Sequence, residues 1–272
     1  MFRIIFTTTI LSFASAPAFA QIADPMPSDT AGTGYIGATA LLSSDYLGAA
    51  NETVTALPYL SFENIKGFDL FGTALSYRAI EAGTGEGFGK WSLRAGPTVS
   101  YQRGRDSSDS VNLIGFDDVD ASILAGGYIR TTIGPVGLRL DAAQDFAGGH
   151  DGLTVDASIG TFYRVGNFAI QPSATVSWGS GAHNDSFFSV TNAQAASSGL
   201  TTYDAGAGIY GYSLGIVSWV EIKDQYAISL IGSYRWFTDE AEDSPILNAS
   251  DGSKNGLFAG LSVSRKFDSN KW

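Results

Sequence analysis

Apolar and polar residues alternate with a period of two along most of this chain. Val136, Leu138, Leu140, Ala142 and Phe146 interleave with Gly137, Arg139, Asp141, Ala143 and Asp145. After the turn-rich stretch from Ala147 to Gly152, the pattern resumes as Leu153, Val155, Ala157, Ile159 and Tyr163 against Thr154, Asp156, Ser158, Gly160 and Arg164. A period of two places successive side chains on opposite faces of a strand, so the two runs predict a long antiparallel hairpin. Trp91 to Gln102 is the clearest segment: Trp91, Leu93, Ala95, Pro97, Val99 and Tyr101 share one face, and Ser92, Arg94, Gly96, Thr98, Ser100 and Gln102 the other. Its apolar face carries an aromatic residue at each end, where the two interfaces of a bilayer fall.

Eleven such segments can be traced between Tyr35 and Phe267. Bacterial single-chain membrane barrels have an even number of strands, so one turn is hidden. Between Phe68 and Ile80 the apolar residues change phase, from Phe68 and Leu70 to Phe71, Leu75 and Tyr77, and a slip beside Gly72 marks a bulge or a break. Ser186 to Val190 is a second candidate for a short extra strand. Tight turns at Gly134-Pro135, Val165-Gly166-Asn167 and Ile222-Lys223-Asp224 alternate with longer polar connections at Gly104–Asp117, Ala147–Gly152, Gly179–Thr202 and Thr238–Asn255. Short turns on one side and long loops on the other are the pattern of an outer-membrane barrel. The expected fold is therefore all-β, a transmembrane antiparallel up-and-down β-barrel of 12 strands, with 10 as the alternative.

Composition agrees with lipid on the outside. The 272 residues include 33 glycines and no cysteine, with 12% aromatic and only 16% charged residues, against about a quarter charged in an ordinary soluble domain. Absence of cysteine removes disulfide and thiolate chemistry. No stretch is long and apolar enough for a spanning helix. Met1-Phe2-Arg3, the apolar run from Ile4 to Phe13 and the small-residue triplet Ala18-Phe19-Ala20 read as a signal peptide over residues 1–20, cleaved before Gln21. Residues 21–33 read as a flexible lead-in, 34–267 as the barrel and 268–272 as a short C-terminal extension. The leader's destination is the bacterial outer membrane, whose lipid is the first expected partner. Cleavage leaves 15 basic against 27 acidic residues, a net charge of −12 that argues against nucleic acid as a partner.

The run Gly115-Phe116-Asp117-Asp118-Val119-Asp120-Ala121, the loop Gly148-Gly149-His150-Asp151-Gly152-Leu153, and Ala193 to Leu200 leading into Tyr203-Asp204-Ala205-Gly206-Ala207-Gly208 resemble the MipA/OmpV family of outer-membrane proteins. Asp243-Ser244-Pro245-Ile246, Gly252-Ser253-Lys254-Asn255 and Gly104-Arg105-Asp106 are similar to further loops of that family. The order and spacing of these motifs, from Gly34 to Phe267, carry the resemblance. It implies a barrel. One branch of the family is named for scaffolding peptidoglycan synthesis, bringing a murein hydrolase and a murein synthase together; other members are described as porin-like or as surface adhesins.

Chemistry at neutral pH could involve only His150 and His183, both in long loops. Gly-Gly-His-Asp-Gly reads as turn chemistry, with glycines free to take positive φ and Asp151 able to bond backbone. Serines near His183 have no supporting spacing, and neither a zinc site nor an EF-hand loop can be assembled from the scattered acids. The expectation is a protein that is not an enzyme, with no cofactor. The more informative set faces inward: Arg94, Asp120, Arg130, Arg139, Asp141, Asp156, Arg164 and Arg235. Counting from the turns places Asp141 opposite Asp156 and Arg130 opposite Arg139. Two acids beside two arginines suggest a paired network that holds the interior closed or lines a narrow pore.

Overall fold

A computed structural model of the chain describes residues 32–85, 88–223 and 225–269. The expected signal peptide, nearly all of the expected lead-in and the end of the expected C-terminal extension lie outside the described residues. Twelve staves close into one antiparallel barrel: β1 (Thr33–Ser44), β2 (Glu52–Ile65), β3 (Phe68–Phe71), β4 (Ala74–Tyr77, continued by Ile80–Gly83), β5 (Trp91–Gln102), β6 (Ser122–Ile133), β7 (Val136–Asp145), β8 (Leu153–Thr161, continued by Tyr163–Val165), β9 (Phe168–Gly179), β10 (Gly208–Ile222), β11 (Tyr226–Phe237) and β12 (Asn255–Asp268). Each pairs with its sequence neighbour, and β12 returns to β1 from Thr33↔Asp268 to Ser43↔Phe258, which closes the ring.

The alternation decides which side faces out. Ile36, Leu60, Val99, Ile129, Leu138, Leu140, Ile159, Leu214, Leu230 and Val263 are exposed on the outer surface, an apolar belt that water would not tolerate and lipid requires. Trp91, Tyr163, Phe168 and Tyr226 ring its turn side, and Tyr212, Tyr234 and Trp236 its loop side. The opposite faces are small and hydroxylated, and neighbouring staves pair their hydroxyls inside: Ser92 with Thr132 at 2.6 Å, Ser76 with Thr98 at 3.2 Å and Ser158 with Thr175 at 3.2 Å.

The hidden turn lies at Gly72-Thr73, where Gly72 takes a φ of 57° and β3 and β4 form a hairpin only a few residues high. A bulge follows within β4. Leu75 to Ser76 pair with Val99 to Thr98, but Ile80 pairs with Ala95, so Arg78 and Ala79 share the place of one residue. Ile80 thereby turns to the lipid face while Arg78 points inward. Ser186–Val190 forms no strand: most of it belongs to the helix α1 (Gly181–Phe188), which a loop turn joins to α2 (Asn192–Ser198).

Three prolines sit in the staves, and each turns its donorless nitrogen away from a paired neighbour. Asp45 N–H bonds Asn51 O, and strict alternation from that pair aims the Pro58 nitrogen at the second edge of β2 rather than at β1. The Gly134 N–H to Lys90 O bond likewise aims Pro97 at the bulge in β4, and the Glu221 N–H to Asn167 O bond aims Pro172 at the break in β8. At Pro58 the consequence is largest. The β3–β4 hairpin reaches β2 only between Phe62 and Ile65, and among the described residues no strand pairs with that edge between Glu52 and Ser61. The wall is notched there on its loop side. In detergent, the amides of Val54, Ala56 and Leu60 are therefore expected to exchange with deuterium well before those of Thr55, Leu57 and Tyr59, which alternation directs at β1. Equal protection of the two sets by NMR would show that the notch is filled.

Candidate functional site

Three layers fill the barrel, and the loop-side layer is a lid. The connections β1–β2, β5–β6, β9–β10 and β11–β12 fold over the mouth and bury Tyr46, Leu113, Phe116, Phe187, Phe188, Ile246 and Leu247 in a common core with Tyr210 and Phe237. Local capping builds the helices that deliver these rings. The Ser180 hydroxyl accepts from the His183 N–H at the start of α1, and Thr191 and Gln194 cap α2 reciprocally. Side chains then tie loop to loop: Ser244 Oγ donates to Phe188 O at 2.6 Å, Asn184 Nδ2 to Gly206 O at 2.8 Å, and Asp251 accepts from both Ser110 and Asn112. Arg105, buried inside the lid, donates to Phe187 O at 3.0 Å and lies over the Phe116 ring; burial pushes its guanidinium down to about 10.

Both histidines belong to this lid. His183 is fully buried with its Nδ1 3.0 Å from Asn184 Oδ1, and its ring meets His150 edge-on at a centroid distance of 4.8 Å. Burial, then the neighbouring His150 and Arg235, hold His183 down to about 3; burial also lowers His150. Each ring is neutral at pH 7. His150 Nδ1 accepts the Gly152 N–H at 3.0 Å, and the acid that shapes this turn is Asp145, which accepts from the N–H groups of Ala147, His150 and Asp151. Asp151 takes a positive φ, as Gly148 does.

Below the lid lies the charged lumen. Asp141 stands opposite Asp156, and Arg130 opposite Arg139 and Arg94. The four residues expected to form one network divide. Arg139 grips Asp141 on its own strand through Nε at 2.7 Å and Nη2 at 2.8 Å, with its guanidinium 4.4 Å above the Tyr128 ring. Asp156 instead accepts from Ser177 Oγ at 2.5 Å, and Arg235 lies over Tyr210 on the adjoining wall. Arg164 joins Glu221 at 3.1 Å, and Glu221 also accepts from Tyr35. Arg94 meets Glu81 at 3.1 Å and Glu63 at 3.6 Å. Asp120 is the exception among the expected inward residues: it lies exposed in the β5–β6 connection, two residues before β6 begins, because Val119 leaves the ladder to bridge Arg105.

The densest ion cluster escaped the sequence. Arg78 donates to Asp69 at 2.6 and 2.7 Å and to Glu63 at 2.8 Å, and it is 3.4 Å from Glu81. These residues come together because the hairpin and the bulge bring β2, β3 and β4 into one corner; the phase slip beside Gly72 was one local sign. At the turn end of the lumen, a cavity of about 150 Å³ opens between β6, β7, β8 and β9, with Arg130 and Arg139 in its wall. Beneath the rest of the lumen, Phe162 stacks on Trp219 with centroids 5.7 Å apart, inside an apolar cluster that includes Tyr35, Tyr59 and Phe71.

Comparison with known proteins adds a family and some distant likenesses. The family described as MltA-interacting protein MipA matches residues 36–267. The curated proteins named MltA-interacting protein from Escherichia coli K12 and Shigella flexneri are each 25% identical over 170 residues, which is 59% of this chain and 64% of theirs. Among solved structures, the outer-membrane protein OmpT of Vibrio cholerae aligns with 90% of this chain and 100% of its own, at 11% identity and a TM-score of 0.37.

Proposed function

The chain belongs to the MltA-interacting protein MipA family, and from that premise we propose that it is a scaffold of the cell envelope, an outer-membrane barrel whose turn-side face holds peptidoglycan enzymes. The proposal includes export by a leader cleaved before Gln21, so that the turns face the periplasm. The relatives in Escherichia coli and Shigella flexneri are named for interacting with MltA. For this chain the corresponding partner is a murein hydrolase, with a murein synthase as the second enzyme brought alongside it.

The observation that carries this reading over a solute channel is the lid. Its core residues Leu113, Phe187, Phe188 and Ile246 are at most 1% exposed, and a second apolar cluster packed on Trp219 stands beneath the charged layer. Among the described residues, a barrel filled in this way offers solutes no continuous wetted path, whereas its turn-side face remains available as a platform. The histidines are neutral and buried among aromatic rings, which suits a structural role in the lid and assigns no catalytic step.

Two measurements test the proposal. Detergent extracts passed over the immobilised protein are expected to be enriched in murein hydrolase relative to an unrelated barrel of similar charge; no enrichment sinks the scaffold reading. In planar bilayers, the refolded protein is expected to give no discrete conductance steps. Reproducible steps would favour the porin-like alternative.

A further inference from the structure

We propose that the turn-side rim of the barrel holds an anionic phospholipid at one place, where Arg265 and Lys223 bind its phosphate and the outer faces of β11, β12 and β1 bed its acyl chains. The inference rests on the apolar belt and stands apart from the scaffold reading, since it needs no murein enzyme.

Charge interrupts the belt in few places. Among the described stave residues, the lipid-facing positions include two charged side chains: Glu52, where β2 begins at the loop end, and Arg265 near the turn end of β12. Arg265 follows Leu261 and Val263 at a spacing of two and is exposed as they are, whereas Ser262 and Ser264 between them are buried. A cation on the lipid face is costly at the bilayer midplane and nearly free at the interface. Register fixes its level: Arg265 stands opposite Tyr226 of β11, a ring of the turn-side girdle, and opposite Ile36 of β1. The guanidinium therefore has hydrocarbon on one side and the headgroup layer on the other, and a long basic side chain so placed extends toward phosphate. Elsewhere the same girdle carries uncharged rings, Trp91, Tyr163 and Phe168.

Among the described residues, no acceptor holds the Arg265 guanidinium, and none holds the ammonium of Lys223, exposed in the β10–β11 turn three residues before Tyr226. The acids nearby in sequence are directed elsewhere: Glu221 accepts from Arg164 and Tyr35 inside the barrel, and Asp268 occupies an inward position of β12. Beside the two cations, toward the middle of the belt, Ile228, Leu230, Val263 and Ile36 lie exposed on three adjacent staves. Phosphate on the basic pair and hydrocarbon along this lane are the two parts of a phospholipid. The lane presents no described carboxylate to the ammonium of a zwitterionic headgroup, so the site selects an anionic one.

The test is native mass spectrometry of the full-length protein refolded in uncharged detergent and titrated with phosphatidylglycerol or with phosphatidylcholine of the same acyl chains. Phosphatidylglycerol is expected to bind at least about fivefold more tightly, the worth of one basic side chain at an anionic surface. Inorganic phosphate at the same concentration is expected not to displace it, since it lacks the acyl chains. Arg265→Gln is expected to remove most of the preference and Lys223→Gln part of it, whereas Lys90→Gln, on a turn beside the Trp91 ring, leaves it unchanged. Retention of the heat-modifiable folded band on gels shows that each variant has folded. Asp224, the acid of the β10–β11 turn, lies outside the described residues; were it to hold both cations, the unaltered chain would bind the two lipids equally, and that result overturns the proposal. An undiminished preference in folded Arg265→Gln overturns it too. An equal loss in Lys90→Gln assigns the preference to general surface charge and overturns the site, and displacement by inorganic phosphate overturns the assignment to a lipid.

Discussion

Asp141→Ala is expected to destabilise the barrel by about 3–5 kcal/mol, the range for removing one partner of a buried ion pair. The Asp141 side chain is 1% exposed and Arg139 is 11% exposed, so neither charge has ready access to bulk water. Truncation strips the guanidinium of two charge-assisted bonds at 2.7 and 2.8 Å while leaving its charge in place over Tyr128. One effect runs the other way: Asp141 faces Asp156 across the β7–β8 ladder, and its loss relieves that repulsion. The loss of two charge-assisted bonds at a buried guanidinium outweighs that relief, because Asp156 already has a hydroxyl donor in Ser177 at 2.5 Å. Replacing both members, with Arg139→Met and Asp141→Leu, is expected to recover most of the loss, since an apolar pair avoids the desolvation of both ions. Urea unfolding of the refolded protein in vesicles measures both. A loss below about 1 kcal/mol for Asp141→Ala would mean that water reaches the pair and that the lumen is wetter than its packing indicates.

Acidification is expected to loosen the lid while the barrel persists. His183 is neutral in the folded lid down to about pH 3, whereas an unfolded loop takes up its proton near the ordinary value of 6.5. The opened state therefore binds more protons throughout that window. Stability of the lid is whole above pH 6.5 and falls as pH drops, by about 1.4 kcal/mol per pH unit for a single histidine. His150, lowered by burial and countered by Asp145 and Asp151, adds a slope of the same sign. Amide exchange across Gly181–Phe188, followed from pH 7 to pH 4, reads the effect. His183→Gln keeps the position polar and removes its titration, so its exchange should depend on pH much less. An unchanged slope in that variant would place the sensitivity elsewhere.

Legibility differed between the parts of this molecule. The belt and the lumen could be read directly: residues such as Leu138, Leu140, Arg139 and Asp141 follow from a period of two, and the pairings Asp141↔Asp156 and Arg130↔Arg139 from counting out of two turns. The phase slip at Gly72 announced an interruption but not its form, a hairpin followed by a bulge. The prolines carried an unused signal. Pro58, Pro97 and Pro172 fit the apolar faces of their strands, and the absent donor of each also marked a place where the neighbouring ladder is open or irregular.

Sequence by itself determined the orientation of side chains, the number of strands to within one hidden turn, and which connections are short, because each of these follows from the local geometry of an extended backbone. Tertiary structure alone decided the rest. Phe116, Phe187, Ile246 and Tyr46 form one core only because ring closure brings four separate loops over the same mouth, and the Arg78 cluster exists only because the short β3–β4 hairpin sets that side chain against acids on two other strands. Neither grouping has a period along the chain, since the first depends on closure of all the strands together and the second on the irregular corner where β2, β3 and β4 meet.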